Sequence, residues 1–142
     1  MEKWFTTNLR VRYKETDQMG VVYHSNYFVW FEIARSEMIK NTGMTYKDME
    51  ATGILMPVVD VNCQYIVPAQ YDDDLIIRVA ITKHTGIRTD FRYQVIRIAD
   101  QTLLAEGETK HVYVNCDFKL QRIDKVLPVY HQKIIDLYKL QN

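Results

Sequence analysis

Cysteine, proline and glycine are scarce in this chain, with two, three and five respectively in 142 residues. Cys63 and Cys116 stand far apart, with neither a CxxC spacing nor a histidine cluster beside them. They read as two buried or half-buried thiols in a reducing compartment rather than as a disulfide framework. Charge of either sign is also missing as an excess: 18 basic and 18 acidic residues cancel, and no basic tail or stripe appears. That argues against a nucleic-acid partner, which needs a local surplus of Lys and Arg. No apolar run approaches the roughly 20 residues that a membrane helix requires. The first eight residues, Met1 to Asn8, lack the apolar core of a secretion signal, so a cytoplasmic protein without a transmembrane segment is expected. No repeat, low-complexity tract or long linker divides the chain. A single domain over 1–142 is expected, large enough to bury a real core.

What is present is ordinary globular material, 47% hydrophobic and 25% charged, in a readable order. Partial alternation from Trp4 to Tyr13 (Phe5, Leu9, Val11, Tyr13) predicts a first strand. Asn26 to about Asn41 then predicts a helix, because Tyr27, Trp30, Phe31, Ala34 and Met38 form one apolar stripe at helical spacing. Its bulk suits the buried centre of a domain. Ser25 or Asn26 is the expected N-cap, and Gly43 stands just beyond the end. A short helix over Tyr46 to Ala51, closed by Gly53, follows. From Leu55 the period becomes two: Val59, Val61, Cys63, Tyr65 and Val67 alternate with Asp60, Asn62 and Gln64, predicting a half-buried strand. Leu75 to Lys83, Ile87 to Ile98 and Leu103 to Asn115 predict three more strands, with turns at Asp72-Asp73-Asp74, His84-Thr85-Gly86 and Ala99-Asp100-Gln101. A closing helix over about 127–140 carries Tyr130, Ile134, Leu137 and Tyr138. Four strands in a meander with helices segregated to one face make an α+β domain.

The stretch from Tyr13 to Tyr27 draws attention for its chemistry. It places the carboxylate of Asp17, a glycine turn at Gly20 and His24 just ahead of the apolar helix. A helix start presents unpaired N–H groups and a positive dipole end, which favour developing negative charge. A carboxylate beside such a terminus can attack a carbonyl, or activate water against it, while the terminus polarises the oxygen. Each of these residues also has a plain structural reading. An Asp before a glycine turn commonly bonds local backbone, and His24 can simply open the helix. Glu32 and Arg35 fit a surface or interface ion pair, and the cations around His84-Thr85-Gly86 fit a solvated turn. His111 and His131 have no partner at metal-ligand spacing, so no metal is expected.

Asp17-x-x-Gly20-x-Val22, Tyr27 and Glu32-x-Ala34-Arg35 together resemble the signature of the 4-hydroxybenzoyl-CoA thioesterase family. Pro57-Val58-Val59, Tyr65-x-x-Pro68-Ala69, the turn at Asp73-Asp74 and Ala105-Glu106-Gly107 extend the match from about Asn8 to about Pro128. The variant Tyr13…Asp17…Tyr23-His24 resembles the short-chain acyl-CoA thioesterase branch associated with the Tol–Pal cluster. The resemblance implies a hotdog fold, an antiparallel sheet of five or six strands wrapped around one long helix. It implies homodimers or homotetramers, with active sites at the subunit interface and no cofactor. Asp17 matches the catalytic carboxylate, and Tyr13 and His24 match positions around it. The backbone about Val22, Tyr23 and His24 matches the site that receives the thioester oxygen, and Lys83 and Arg88 are candidates for the phosphates of CoA. Thioester hydrolysis suits so sparse a site, because a thiol of pKa about 8.5 leaves without a dedicated strong acid. A hydratase, a non-catalytic acyl-binding protein and a thioesterase acting on acyl-carrier protein are the alternatives.

Overall fold

The computed structural model describes residues 3–142. The chain begins with strand β1 (Phe5–Arg10), then a single 3-10 turn (Tyr13–Glu15), helix α1 (Asn26–Lys40) and helix α2 (Tyr46–Ala51). Four strands follow: β2 (Val58–Tyr65), β3 (Asp74–His84), β4 (Arg88–Arg97) and β5 (Thr102–Val112). A one-turn helix α3 (Ile123–Val126) leads into α4 (Pro128–Gln141). The five strands form one antiparallel sheet in the order β1-β3-β4-β5-β2.

The expected apolar stripe of α1 is the core. Tyr27, Trp30, Phe31, Ala34 and Met38 are all buried, joined by Ile39. Phe31 lies flat on Tyr93 of β4, ring centroids 4.2 Å apart and planes 9° apart. Each such side chain contributes about 1.5–3 kcal/mol of burial. The helix can settle this close because Gly107 of β5 has no side chain: a methyl there would meet the Asn62 carbonyl and stand 2.9 Å from the Phe31 ring.

Three details depart from the sequence reading. β1 ends at Arg10 and the chain turns, so Tyr13 sits in the 3-10 turn and not in the strand. The four later strands are not a meander. β3, β4 and β5 follow one another, but β2 pairs with β5 at the far edge, Tyr65 opposite Ala105 and Cys63 opposite Gly107. Alternation reports which faces a strand has, not which neighbours, and β3 is needed beside β1. Finally, β2 is not half-buried in the single chain: Val59, Val61 and Tyr65 are 58%, 44% and 47% exposed. Among the described residues nothing covers that edge.

The hairpin at His84 anchors the C-terminal helix. His84 Nδ1 lies 2.8 Å from Thr89 Oγ1, and its Nε2 lies 2.9 Å from Nδ1 of His131 on α4. One ring must donate to the other, so the contact excludes two charged imidazoles. Burial, and next the neighbouring His131, lower the His84 pKa to about 4. Burial, and next the Arg35 charge, lower that of His111 to about 4. The unfolded chain takes up these protons near pH 6.5 and the folded chain does not, so their contribution is complete above 6.5 and lost as pH falls towards 4. Urea titrations at pH 7 and pH 4.5 are expected to differ by several kcal/mol, on the order of 2–3 for each histidine. Equal midpoints would show that neither ring is held neutral. Among the described residues no helix is long and apolar enough to cross a membrane.

Candidate active site

Residues 16–22 fold into a small loop, closed by the Thr16–Val22 bridge and by the Asp17 N–H donating to Val21 O at 2.9 Å. Gly20 takes a positive φ of 79° at its tip, a conformation that glycine adopts without strain. Asp17 Oδ1 accepts the Met19 N–H at 2.8 Å, so the turn-forming reading of this residue holds. Among the described residues its second carboxylate oxygen has no protein donor, and the side chain is only half-buried.

The loop delivers the chain to α1, whose first amides bond back to the preceding turn: Asn26 N–H to Tyr23 O at 3.0 Å, Tyr27 N–H to His24 O at 3.4 Å and Phe28 N–H to Ser25 O at 3.2 Å. Ser25 occupies the N-cap position in a helical conformation, but its side chain makes no cap hydrogen bond. Asn26 instead donates its side-chain amide to Glu15 O at 2.9 Å. The Val22 N–H is taken by Ala69 O (2.9 Å) and the Tyr23 N–H by Glu15 O (2.8 Å). That revises the expectation for the thioester oxygen. The Val22 and Tyr23 amides are committed, whereas those of His24 and Ser25 have no acceptor among the described residues.

A cavity of about 240 Å³ lies between this loop and the end of β2, lined by Asp17, Met19, Val22, Tyr23, His24 and Tyr65 together with neighbouring apolar groups. It is an apolar cleft with one carboxylate, Asp17, and the residue with the unbonded amide, His24, on its wall. Tyr65 closes the far side, its hydroxyl donating to His24 O at 2.9 Å and its ring edge-on to Tyr27 at 5.0 Å. Burial, and next the Cys63 thiol, push the Tyr65 phenol up to about 12, so it stays a neutral donor. His24 stacks obliquely on Tyr23, centroids 4.4 Å apart, and makes no hydrogen bond to Asp17.

Of the residues nominated from sequence, Asp17, Val22, Tyr23 and His24 therefore share one cavity. Tyr13 does not line it: the ring is 77% exposed and packs edge-on against Tyr71 at 5.7 Å. Lys83 and Arg88 lie elsewhere. Arg88 pairs with Val112 while Tyr65 pairs with Ala105, seven residues back along β5, a separation of about 20 Å. Arg88 is a bidentate partner of Asp90 at 2.8 and 2.7 Å, and Lys83 is exposed. Arg35 forms no ion pair with Glu32 but faces the hydroxyls of Tyr46 and Tyr93. Tyr65 was missed as a cavity wall, since only its strand alternation was visible. Glu15 was missed altogether, because nothing in its neighbourhood marks a buried acid.

A five-stranded antiparallel sheet around a central helix is the architecture of the hotdog-fold thioesterases. The Thioesterase-like superfamily model matches residues 11–130. The chain belongs to that superfamily. It is 39% identical to YneP of Bacillus subtilis over 87% of this chain and 89% of that one. It is 34% identical to acyl-CoA thioester hydrolase YbgC of Escherichia coli O157:H7, covering 87% of this chain and 90% of that one. Among solved structures, a DHNA-CoA thioesterase from Staphylococcus aureus superposes with a TM-score of 0.92 at 33% identity, covering 96% of this chain and 92% of that one.

Proposed function

We propose that this protein is an acyl-CoA thioesterase, hydrolysing acyl-CoA to the free acid and CoA, with Asp17 as nucleophile or general base. One observation carries the residue assignment: among the described residues, a carboxylate oxygen without a donor shares an apolar cavity with His24, whose amide just ahead of α1 has no acceptor. The thioester carbonyl accepts a hydrogen bond from the His24 N–H, with Ser25 beside it, and the helix dipole stabilises the oxyanion. One such donor is worth about 3–4 kcal/mol in other hydrolases. Asp17 then either attacks the carbonyl carbon, giving a mixed anhydride that water opens, or takes a proton from the attacking water. In both routes the C–S bond breaks and CoA leaves as thiolate. His24 orients the entering group with its ring.

The working unit is a homodimer or homotetramer built on β2. Among the described residues that strand has one unpaired edge, and it presents Val58, Val59, Val61 and Tyr65 to solvent, with Ile66 just past its end. Antiparallel pairing of β2 with a second copy sets the Val58 end of one chain against the Tyr65 end of the other. The end that carries Lys83 and Arg88 then approaches the partner's cavity, where these cations meet the phosphates of CoA. A reducing cytoplasm is the compartment, consistent with two free thiols in a chain without a disulfide.

Thiol release from a panel of short aliphatic, long aliphatic and aromatic acyl-CoA thioesters, with acyl-carrier-protein thioesters alongside, tests the activity. Release from acyl-CoA is expected; no release from any member would end the hydrolase reading, and release from the carrier protein alone would move the substrate class. Lys83→Ala and Arg88→Gln are each expected to raise KM about tenfold with kcat unchanged, the loss of one charge-assisted contact. An unaltered KM in both variants would remove these cations from the site.

A further inference from the structure

Glu15 lies outside the cavity yet holds both of its chemical walls. It is only 4% exposed, buried beneath the loop that carries Asp17. Its Oε2 accepts the indole N–H of Trp30 at 2.8 Å, and its Oε1 accepts the Arg12 N–H at 2.8 Å. The Arg12 guanidinium stands 3.4 Å from the same oxygen. The main chain of this residue completes the link, since Glu15 O accepts the Tyr23 N–H at 2.8 Å and the Asn26 amide at 2.9 Å. Trp30 is fixed in the core of α1, 1% exposed and tilted against Tyr27 at 4.7 Å.

A closed circuit results. It runs from the helix core at Trp30 through the Glu15 side chain to its carbonyl, then to Tyr23 and Asn26, and back to the helix. Asp17 hangs from this circuit two residues on, and the His24 N–H follows Tyr23 directly. Burial drives the Glu15 carboxyl upward. The hydrogen bonds from the Arg12 backbone, Trp30 and the Arg12 side chain outweigh that, and the group is held below the usual glutamate value, ionised. Burying a carboxylate is costly even when well bonded, and an apolar residue of similar size serves stability as well or better. What an apolar residue cannot do is tie the loop to the indole.

We infer that Glu15 is a positioning residue, which fixes the separation between the Asp17 carboxylate and the His24 N–H by pinning the 3-10 turn to Trp30. The inference rests on the thioesterase reading for its kinetic consequence. Displacing a reacting group by about 1 Å costs on the order of 100-fold in rate, so the pin acts on kcat.

The test uses the full chain with the best acyl-CoA of the panel, comparing Glu15→Gln, Trp30→Phe and the double variant. Glu15→Gln keeps the shape but turns an NH2 towards one of two donors. It is expected to lower kcat about 10- to 100-fold with KM within about threefold, measured on folded protein well below its Tm. Trp30→Phe keeps an aromatic ring and removes only the donor, so a smaller fall in kcat is expected. The double variant should be no worse than Glu15→Gln alone, because both act through one link. A lowered Tm with kcat per folded molecule unchanged would reduce Glu15 to a structural group, and multiplicative losses would sever the link through Trp30. Hydrogen exchange at the Tyr23 amide reads the pin without substrate and is expected to be at least tenfold faster in Glu15→Gln. Unchanged exchange would overturn the inference even where the wild-type protein proved inactive, whereas wild-type inactivity with altered exchange would strike only at the proposed function.

Discussion

Asp17→Asn is expected to lower kcat for thioester hydrolysis by about 100- to 10,000-fold, the range for removal of a positioned base, and by more if Asp17 is the nucleophile. Stability should hardly change. Asparagine retains a side-chain oxygen, so it can still accept the Met19 N–H that Asp17 Oδ1 accepts at 2.8 Å, and the loop keeps its turn. The substitution therefore separates two roles that coexist at this position. If Asp17 only forms the turn, the asparagine variant will release thiol as fast as wild type. If the carboxylate does the chemistry, activity collapses in a protein with an unchanged melting curve. A single turnover in oxygen-18 water, followed by mass analysis of the Asp17 peptide, then tests the anhydride route. Label in Asp17 requires an anhydride opened at the Asp17 carboxyl carbon, whereas label in the product acid alone fits both activated water and an anhydride opened at the acyl carbon.

The largest effect on stability is expected from Phe31→Ala, about 3–5 kcal/mol, or a fall in Tm of roughly 10–20 °C for a chain of this size. Phe31 is wholly buried and joins the helix to the sheet through its stack on Tyr93. The Tyr93 hydroxyl in turn shares a hydrogen bond with Thr109 Oγ1, 2.6 Å away on the neighbouring strand. Truncation leaves a void over both Tyr93 and Gly107, because it is the Phe31 ring itself that fills the space left by the missing Gly107 side chain. Collapse would need the helix to move into β5. Thermal melts of the variant beside wild type check the figure, and a change under about 1 kcal/mol would place the central contact of the fold elsewhere.

Much of this architecture was legible because the chain's periodicities are clean. The stripe from Tyr27 to Met38 announced a buried helix, and Tyr46–Ala51 and the closing helix were found nearly to the residue. The place of β2 was not legible. Its valines alternate whether they face a neighbouring layer of the same chain or nothing at all, and pairing with β5 across the sheet is a long-range choice. Asp17 and His24 could be singled out since a carboxylate, a glycine and a helix start lie within eight residues. Their meeting with Tyr65 could not, as 41 residues separate Tyr65 from His24. Glu15 was hidden for the same reason: its partner Trp30 is read from sequence as core, and an indole N–H gives no sign of where it points. Of the amides nominated about Tyr23 and His24, that of Tyr23 is consumed by a carbonyl eight positions earlier, a pairing that no pattern in the sequence displays.

The bare edge of β2 has one more consequence, concerning how growth stops. A flat strand of valines with open backbone groups invites any other strand to add to it, and repeated addition makes fibres. A two-fold match between identical β2 edges uses up both at once and leaves at the outer ends only β1, whose exposed side chains are Thr6, Asn8 and Arg10. The same row of residues that would be a hazard in an isolated chain becomes self-limiting when it meets its own copy. Asp60, with Lys110 alongside at 3.8 Å, sets charge in the middle of the row, where a partner of the wrong register would have to bury it.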